Sequence, residues 1–274
     1  MSASSSSNSS VDPKTLQANS TNIPKRRKKK FKQRPGGSPV VVEHPSSMEA
    51  SNVHQVYDSI ASHFSATRYK PWPLVSNFLK QNKDVIGKGA WIADIGCGNG
   101  KYLGENPSDT VMVGGDYCAN LVKIVADRGH QGFVIDSLAL PFRDQCFDAA
   151  ICVAVIHHMS SEQRRRKAIE ELLRIIKVGG LCLITVWAFE QNGRKFEKQD
   201  TLVPWHLHVK HQNDQDKEKI EKLPKDQNGR TIFERFYHVF KKGELDALCE
   251  ATGQCEIVSS VWDVDNWNIV IKKI

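Results

Sequence analysis

Residues 91–106 read "WIADIGCGNGKYLGEN". The apolar start ends on Asp94, and glycine then takes alternate positions at Gly96, Gly98 and Gly100. This predicts a strand that stops on an acid and turns sharply, leaving backbone N–H groups bare enough to meet a ligand. A plain turn is the bland alternative. Acids at equivalent places downstream weigh against it. Asp116 closes the next apolar run, 22 residues after Asp94, and Asp136 closes the one after that, followed by Ser137.

Around the loop, apolar runs alternate with helical periodicity. "WIADIG", "VMVGGDY", "GFVIDS", "DAAICVAVI" and "LCLITVWAF" read as strands, with "CANLVKIVADRG" and "SEQRRRKAIEELLRIIK" among the helices between them. The alternation predicts an α/β fold, a Rossmann-like parallel sheet with helices on both faces. After a helix at "KKGELDALCEATG" come two more strands, "CEIVSSVW" and "WNIVIKKI", separated by only "DVDN". They predict a C-terminal antiparallel hairpin that completes a seven-stranded sheet. Upstream, Val53, Val56, Tyr57, Ile60 and Phe64 mark an amphipathic helix.

Ligands of such sheets lie beyond the carboxyl ends of the strands. The cofactor candidates are therefore Asp94, Gly96, Cys97, Gly98, Gly100, Asp116, Asp136 and Ser137, with Val153 and His157 at the end of the fourth strand. A dinucleotide fingerprint would space its glycines G-x-G-x-x-G, and a phosphate loop would follow Lys101 with Ser or Thr rather than Tyr102. An adenosine without pyrophosphate fits better. S-adenosyl-L-methionine would face the loop with its amino-acid end, Asp116 with its ribose, and Asp136 and Ser137 with its base.

Nothing approaches the roughly 18 uncharged apolar residues of a membrane span. The Ser/Asn-rich opening lacks a secretory signal's apolar core, so a cytoplasmic address is expected, with a nuclear one also open. Seven cysteines are scattered without a C-x-x-C pair, which predicts neither disulfides nor a bound metal. The net charge of +7 sits in one place: residues 1–47 hold nine Lys/Arg against Asp12 and Glu43, and the remainder balances at 29 basic and 29 acidic residues. Residues 1–47 are thus expected to form a disordered basic tail, with a globular domain from 48 to 274. The run "KRRKKKFKQR" reads as a solvated arm, a nuclear import signal or a nucleic-acid tether.

The glycine loop, the acids and the closing hairpin together resemble the class I adenosylmethionine-dependent methyltransferases. "VYDSIASHFSATRYKPWP", "LPFRDQCFDAAICVAVIHHMSSEQRR", "QDTLVPWHL" and "ERFYHVFKKGEL" narrow this further. From about Val53 to Ile274 the chain resembles the eukaryotic tRNA wobble-uridine carboxymethyl methyltransferases. The resemblance implies methylation of the carboxylate of 5-carboxymethyluridine at the first anticodon position. It also implies a small zinc-binding activator subunit, forming a heterodimer. Cys118 departs from the serine common after the ribose acid in such sequences.

A carboxylate is ionised at neutral pH and needs no strong general base, so the protein must orient and desolvate it. Arginine suits that task. The catalytic candidates are Arg68, Arg235, Tyr237 and His238; Lys70, Trp72, Arg164 and Arg165 are candidates for binding the RNA substrate. Each has a bland reading, as an ion-paired arginine, a packed aromatic or a buried histidine. A small-molecule methyltransferase and a non-catalytic adapter on the same fold are the competing functions. The intact loop and acids disfavour the adapter.

Overall fold

The computed structural model describes residues 33–105, 109–207 and 222–274. The basic run up to Lys32 lies outside them. In chain order the described elements begin with two short strands, β1 (Arg34–Pro35) and β2 (Ser38–Pro39). Helix α1 (Pro45–Glu49), a π-helical turn (Ala50–His54), α2 (Gln55–Thr67) and α3 (Pro73–Gln81) follow. Then come β3 (Trp91–Ile95), β4 (Val111–Asp116), α4 (Ala119–Asp127), β5 (Gly132–Val134), β6 (Phe147–Val153), a 3-10 turn (Ile156–His158) and α5 (Glu162–Ile175). The chain continues through β7 (Ile176–Trp187), β8 (Arg194–Lys195), β9 (Asp200–Leu207) and β10 (Thr231–His238). It closes with α6 (Glu244–Glu250), β11 (Cys255–Asp263) and β12 (Asn266–Lys273).

The main sheet has seven strands in the order β11-β12-β7-β6-β3-β4-β5. The five from β7 to β5 are parallel, and β12 runs antiparallel to both its neighbours, as the hairpin spacing predicts. Val264 and Asp265 turn the hairpin with φ of 44° and 66°, the left-handed pair that matches strand twist. β3 reads as a near-continuous apolar run because both of its faces are covered. Ile92 packs with Val75, Phe78 and Leu79 of α3, while Ala93 and Ile95 join Ile169, Leu172 and Leu173 of α5. Alternate residues of one strand thus feed two cores. Of the seven free cysteines, Cys97, Cys118, Cys152, Cys182 and Cys249 are buried.

A second sheet, β10-β9-β2, is antiparallel, with Arg235 opposite Val203 and Tyr237 opposite Thr201. It joins β2 to the β9 and β10 strands, and it carries aromatic residues towards the main sheet's β7.

The expected boundary at residue 47 falls earlier. Residues from Gln33 onward belong to the compact unit. β1 pairs with β8, β2 pairs with β9, and Thr201 Oγ1 donates to the Ser38 carbonyl at 3.1 Å. Composition misplaced the boundary because strand pairing is made by backbone groups, which a Pro/Gly/Ser-rich segment still possesses. A chain beginning at Met48 should therefore melt about 2–8 °C below one beginning at Gln33, the shift expected for roughly 1–2 kcal/mol in a domain of this size. Circular dichroism melts of the two truncations check this.

Candidate functional site

The carboxyl ends of β3, β4 and β6 open on a cavity of about 320 Å3. Gly96, Cys97, Gly98, Asp116, Asp136, Ser137, Val153 and His157 all line it, as the sequence placed them. Gly96 has φ 77°, and a Cβ there would collide with the Val155 side chain. Asp116 Oδ2 accepts the Gly98 N–H at 2.8 Å and Oδ1 accepts the Cys118 N–H at 2.9 Å. Each oxygen keeps a lone pair for a ligand hydroxyl. Asp94 and Gly100 lie behind this lining rather than in it. Burial pushes the Asp94 carboxyl up to about 7, with nearby Lys101 opposing, and its Oδ2 has no hydrogen-bond partner. Asp136 Oδ1 accepts the Leu138 N–H at 2.8 Å, shaping the turn that carries Ser137.

Opposite the loop stands an aromatic wall. Ala154, at φ 63°, turns the chain from β6 into the 3-10 turn that presents His157 and His158. Trp187 stacks on Tyr237 with centroids 4.2 Å apart. His157 Nδ1 accepts the Trp187 N–H at 3.1 Å, which places the proton of the neutral ring on Nε2. His158 Nδ1 faces the Phe236 carbonyl at 2.7 Å and must donate, so Nε2 accepts from the Tyr57 hydroxyl at 2.9 Å. Tyr57 in turn meets the Tyr237 hydroxyl at 3.4 Å, and Tyr237 accepts Arg235 Nη1–H at 2.7 Å. Burial holds His157 well below its ordinary pKa and His158 near 3, so both are neutral at physiological pH.

Arg235 is 5% exposed and lines the cavity. Its guanidinium carbon sits 4.7 Å from the Trp205 ring and 5.1 Å from Tyr237. Its Nε has no partner, and among the described residues no carboxylate pairs with it. Burial opposes the charge, and the Tyr237 and Tyr57 hydroxyls outweigh that, so the group stays protonated. Arg68 lines the same cavity, 5.2 Å from the Trp205 ring. Trp72 also lines it, capped by Lys101 Nζ at 5.0 Å.

Four candidates fare differently. His238 is not a catalytic group: it lies outside the cavity, with Nδ1 2.6 Å from Asp200 and Nε2 2.6 Å from Glu244. Arg165 is buried, donating to the Met159 carbonyl at 2.9 Å and lying 5.8 Å from the Phe240 ring, so it does not reach an RNA. Arg164 does line the cavity, but its Nε and Nη2 grip the buried Glu49 carboxylate at 2.6–2.9 Å. Lys70 is exposed against Tyr69, away from the cavity lining. Sequence alone left His238 open between a ligand contact and a buried histidine, because a strand's inward residues share one face whether they meet a ligand or a carboxylate. Tyr57, Trp187, Glu49 and Lys101 escaped the sequence reading. Tyr57 falls on a helix's core stripe and Trp187 at a strand end, with no motif to separate them from packing residues.

Comparisons with known proteins bear on this geometry. A methyltransferase-domain family model matches residues 93–184. The chain is 44% identical to the tRNA (carboxymethyluridine(34)-5-O)-methyltransferase of Schizosaccharomyces pombe over 231 residues, 82% of this chain and 97% of that protein. It belongs to the tRNA (carboxymethyluridine(34)-5-O)-methyltransferase family. The family member alkbh8 of Xenopus tropicalis is 39% identical over 267 residues, 84% of this chain but 42% of its own length. The chain thus spans under half of that longer family member. Among solved structures, an S-adenosylmethionine-dependent methyltransferase from Clostridium acetobutylicum aligns with TM-score 0.57 at 11% identity, covering 80% of this chain and 99% of that one. A chain of the complex between the Haloferax volcanii Trm112 methyltransferase activator and a methyltransferase aligns with TM-score 0.53 at 14% identity, covering 79% and 97%. At such identities the two structures show the shared fold.

The clasp at His238 has a pH signature. Burial alone would lower its pKa, and the Asp200 and Glu244 carboxylates more than offset this, so the folded value is raised. Its contribution is therefore full below about pH 6.5 and fades as pH rises through the raised value. His238→Ala should cost about 2 kcal/mol in urea unfolding at pH 6 and less at pH 9. Affinity for adenosylhomocysteine should be unchanged. A lost cofactor affinity would return His238 to the site.

Proposed function

We propose that the chain methylates the carboxylate of 5-carboxymethyluridine at position 34 of tRNA, with S-adenosyl-L-methionine as donor. The observation that carries this reading is Arg235: a buried guanidinium, in the cavity the glycine loop opens on, with no carboxylate of its own among the described residues. A buried cation normally acquires an anionic neighbour, because leaving water unpaired costs several kcal/mol. A substrate carboxylate supplies what is missing.

The residues fit the cofactor. Asp116 offers two oxygens to ribose hydroxyls, and Ser137 with Asp136 stands where the base would lie. The loop from Gly96 to Gly98 brings bare backbone against the amino-acid end, where a side chain at Gly96 would clash. Behind the loop, the buried Asp94 Oδ2 is left without a hydrogen-bond partner. When bound, the cofactor supplies an electrophilic methyl on a sulfonium. The chain's part is to hold the nucleophile and exclude water. Arg235 neutralises the incoming carboxylate, and the Tyr237 hydroxyl fixes the guanidinium's orientation through the 2.7 Å bond. With the proton order set from Arg235 through Tyr237 and Tyr57 to His158, none of these groups needs to change protonation during transfer. His157 and His158 being neutral adds no competing charge to the wall.

The same reading places a partner at the sheet edge. β5 is the edge strand at the parallel end of the sheet, and Phe133 and Val134 are 51% and 58% exposed on it. An uncovered apolar edge invites strand addition. The small zinc-binding activator implied by the resemblance suits that position. Phe133→Lys should then abolish co-purification with such a subunit while leaving the free chain's fold intact, and retained co-purification counts against the edge.

Two substitutions test the assignment by opposite losses. Arg235→Ala should keep cofactor affinity within about twofold, yet lower kcat/KM on tRNA at least about tenfold, equal to about 1.4 kcal/mol of transition-state stabilisation. Asp116→Ala should weaken cofactor binding roughly five- to hundredfold, as two ribose hydroxyls lose their acceptor at about 1–3 kcal/mol. Calorimetry with adenosylhomocysteine and single-turnover methylation separate them. A lowered melting temperature with near-normal turnover in Arg235→Ala would make that arginine scaffold.

A further inference from the structure

Arg194 was not singled out by any motif, yet it ends a ladder that runs into the cavity. Its guanidinium carbon lies 4.5 Å over the Trp187 ring. Trp187 stacks on Tyr237, Arg235 sits between Tyr237 and Trp205, and Arg68 covers Trp205. Three guanidiniums and three rings from five segments are thus in continuous contact. Among the described residues, none of the three guanidiniums has a carboxylate partner. A fourth, Arg34, is held beside Arg194 by β-pairing: the two residues are register partners, and the Arg34 N–H donates to the Gly193 carbonyl at 3.2 Å. Burial lowers the Arg194 pKa, and Arg34, Arg235 and Arg68 add to that by repulsion. Like charges kept together without acids gain only when a polyanion binds.

A carboxylate on Arg235 accounts for one of these charges. Arg194, over the Trp187 ring, is half-buried and Arg34 is exposed, so both are open to a strand's backbone from solvent. Aromatic platforms flanked by arginines are how single-stranded RNA is held, with phosphate contacts fixing register and base contacts giving identity. We propose that Arg194, with Arg34 beside it, is the phosphate contact that positions the RNA strand at the cavity mouth. The assignment rests on the tRNA reading above. It also gives the segment from Gln33 to Pro39 a task at the active site.

The test is Arg194→Gln and Arg194→Lys in the full chain, with an anticodon stem-loop RNA carrying 5-carboxymethyluridine. Arg194→Gln should raise KM about tenfold with kcat within about twofold, and make the logarithmic salt slope of RNA affinity shallower by about 0.7, the value for one single-strand phosphate. Arg194→Lys keeps the charge and should restore the slope. Adenosylhomocysteine affinity should not change in either. An unchanged KM and slope in Arg194→Gln would overturn the assignment while leaving the tRNA reading in place. So would a joint loss of kcat and adenosylhomocysteine affinity, which marks Arg194 as packing for Trp187. A wild-type chain that neither binds nor methylates the stem-loop overturns the reading and the assignment together.

Discussion

Two hydrogen bonds to one carboxylate set the register of the site. Asp116 holds the Gly98 N–H on one oxygen and the Cys118 N–H on the other, so the end of β4 is tied to the loop leaving β3. The Gly115 carbonyl adds to this by accepting the Gly96 and Cys97 N–H groups at 2.7 and 3.0 Å. Together they fix a loop whose glycines would otherwise sample many conformations. The same acid that faces a ribose is therefore part of the scaffold that shapes the loop. That double use explains why an acid belongs at this strand end, and why the loop can present bare backbone without losing its shape.

The second constraint is electrostatic. The wall facing the loop buries a guanidinium and two histidines, and the chain manages them in opposite ways. The histidines give up their charge, held neutral by burial and by partners that dictate each tautomer. Arginine cannot do so at accessible pH, and Arg235 keeps its charge between two rings with a tyrosine hydroxyl as its nearest oxygen. On the aromatic wall, a buried cation without a carboxylate partner among the described residues selects an anion by the desolvation cost that only an anion removes. By contrast, Arg164 and His238 look equally functional in sequence but are already satisfied by Glu49 and by Asp200 with Glu244. Possession of a partner, rather than residue type, separates the two groups.

The sequence by itself determined the sheet, the hairpin that closes it and the cofactor side of the cavity. These are local matters. Strand and helix periods repeat over a few residues, and the loop at Gly96 to Gly100 and the acids at Asp116 and Asp136 sit at strand ends where topology leaves them one place to be. What only the tertiary structure decided is the substrate side. Arg235, Tyr57, Trp187 and Arg194 come from four separated segments, and whether each arginine meets an acid depends on side chains distant in sequence: Glu49 lies 115 residues from Arg164. The start of the compact unit at Gln33 was hidden for a similar reason, since backbone pairing with β8 and β9 needs no compositional signal. Periodicity records which face a residue occupies, and only the assembled fold determines what it meets there.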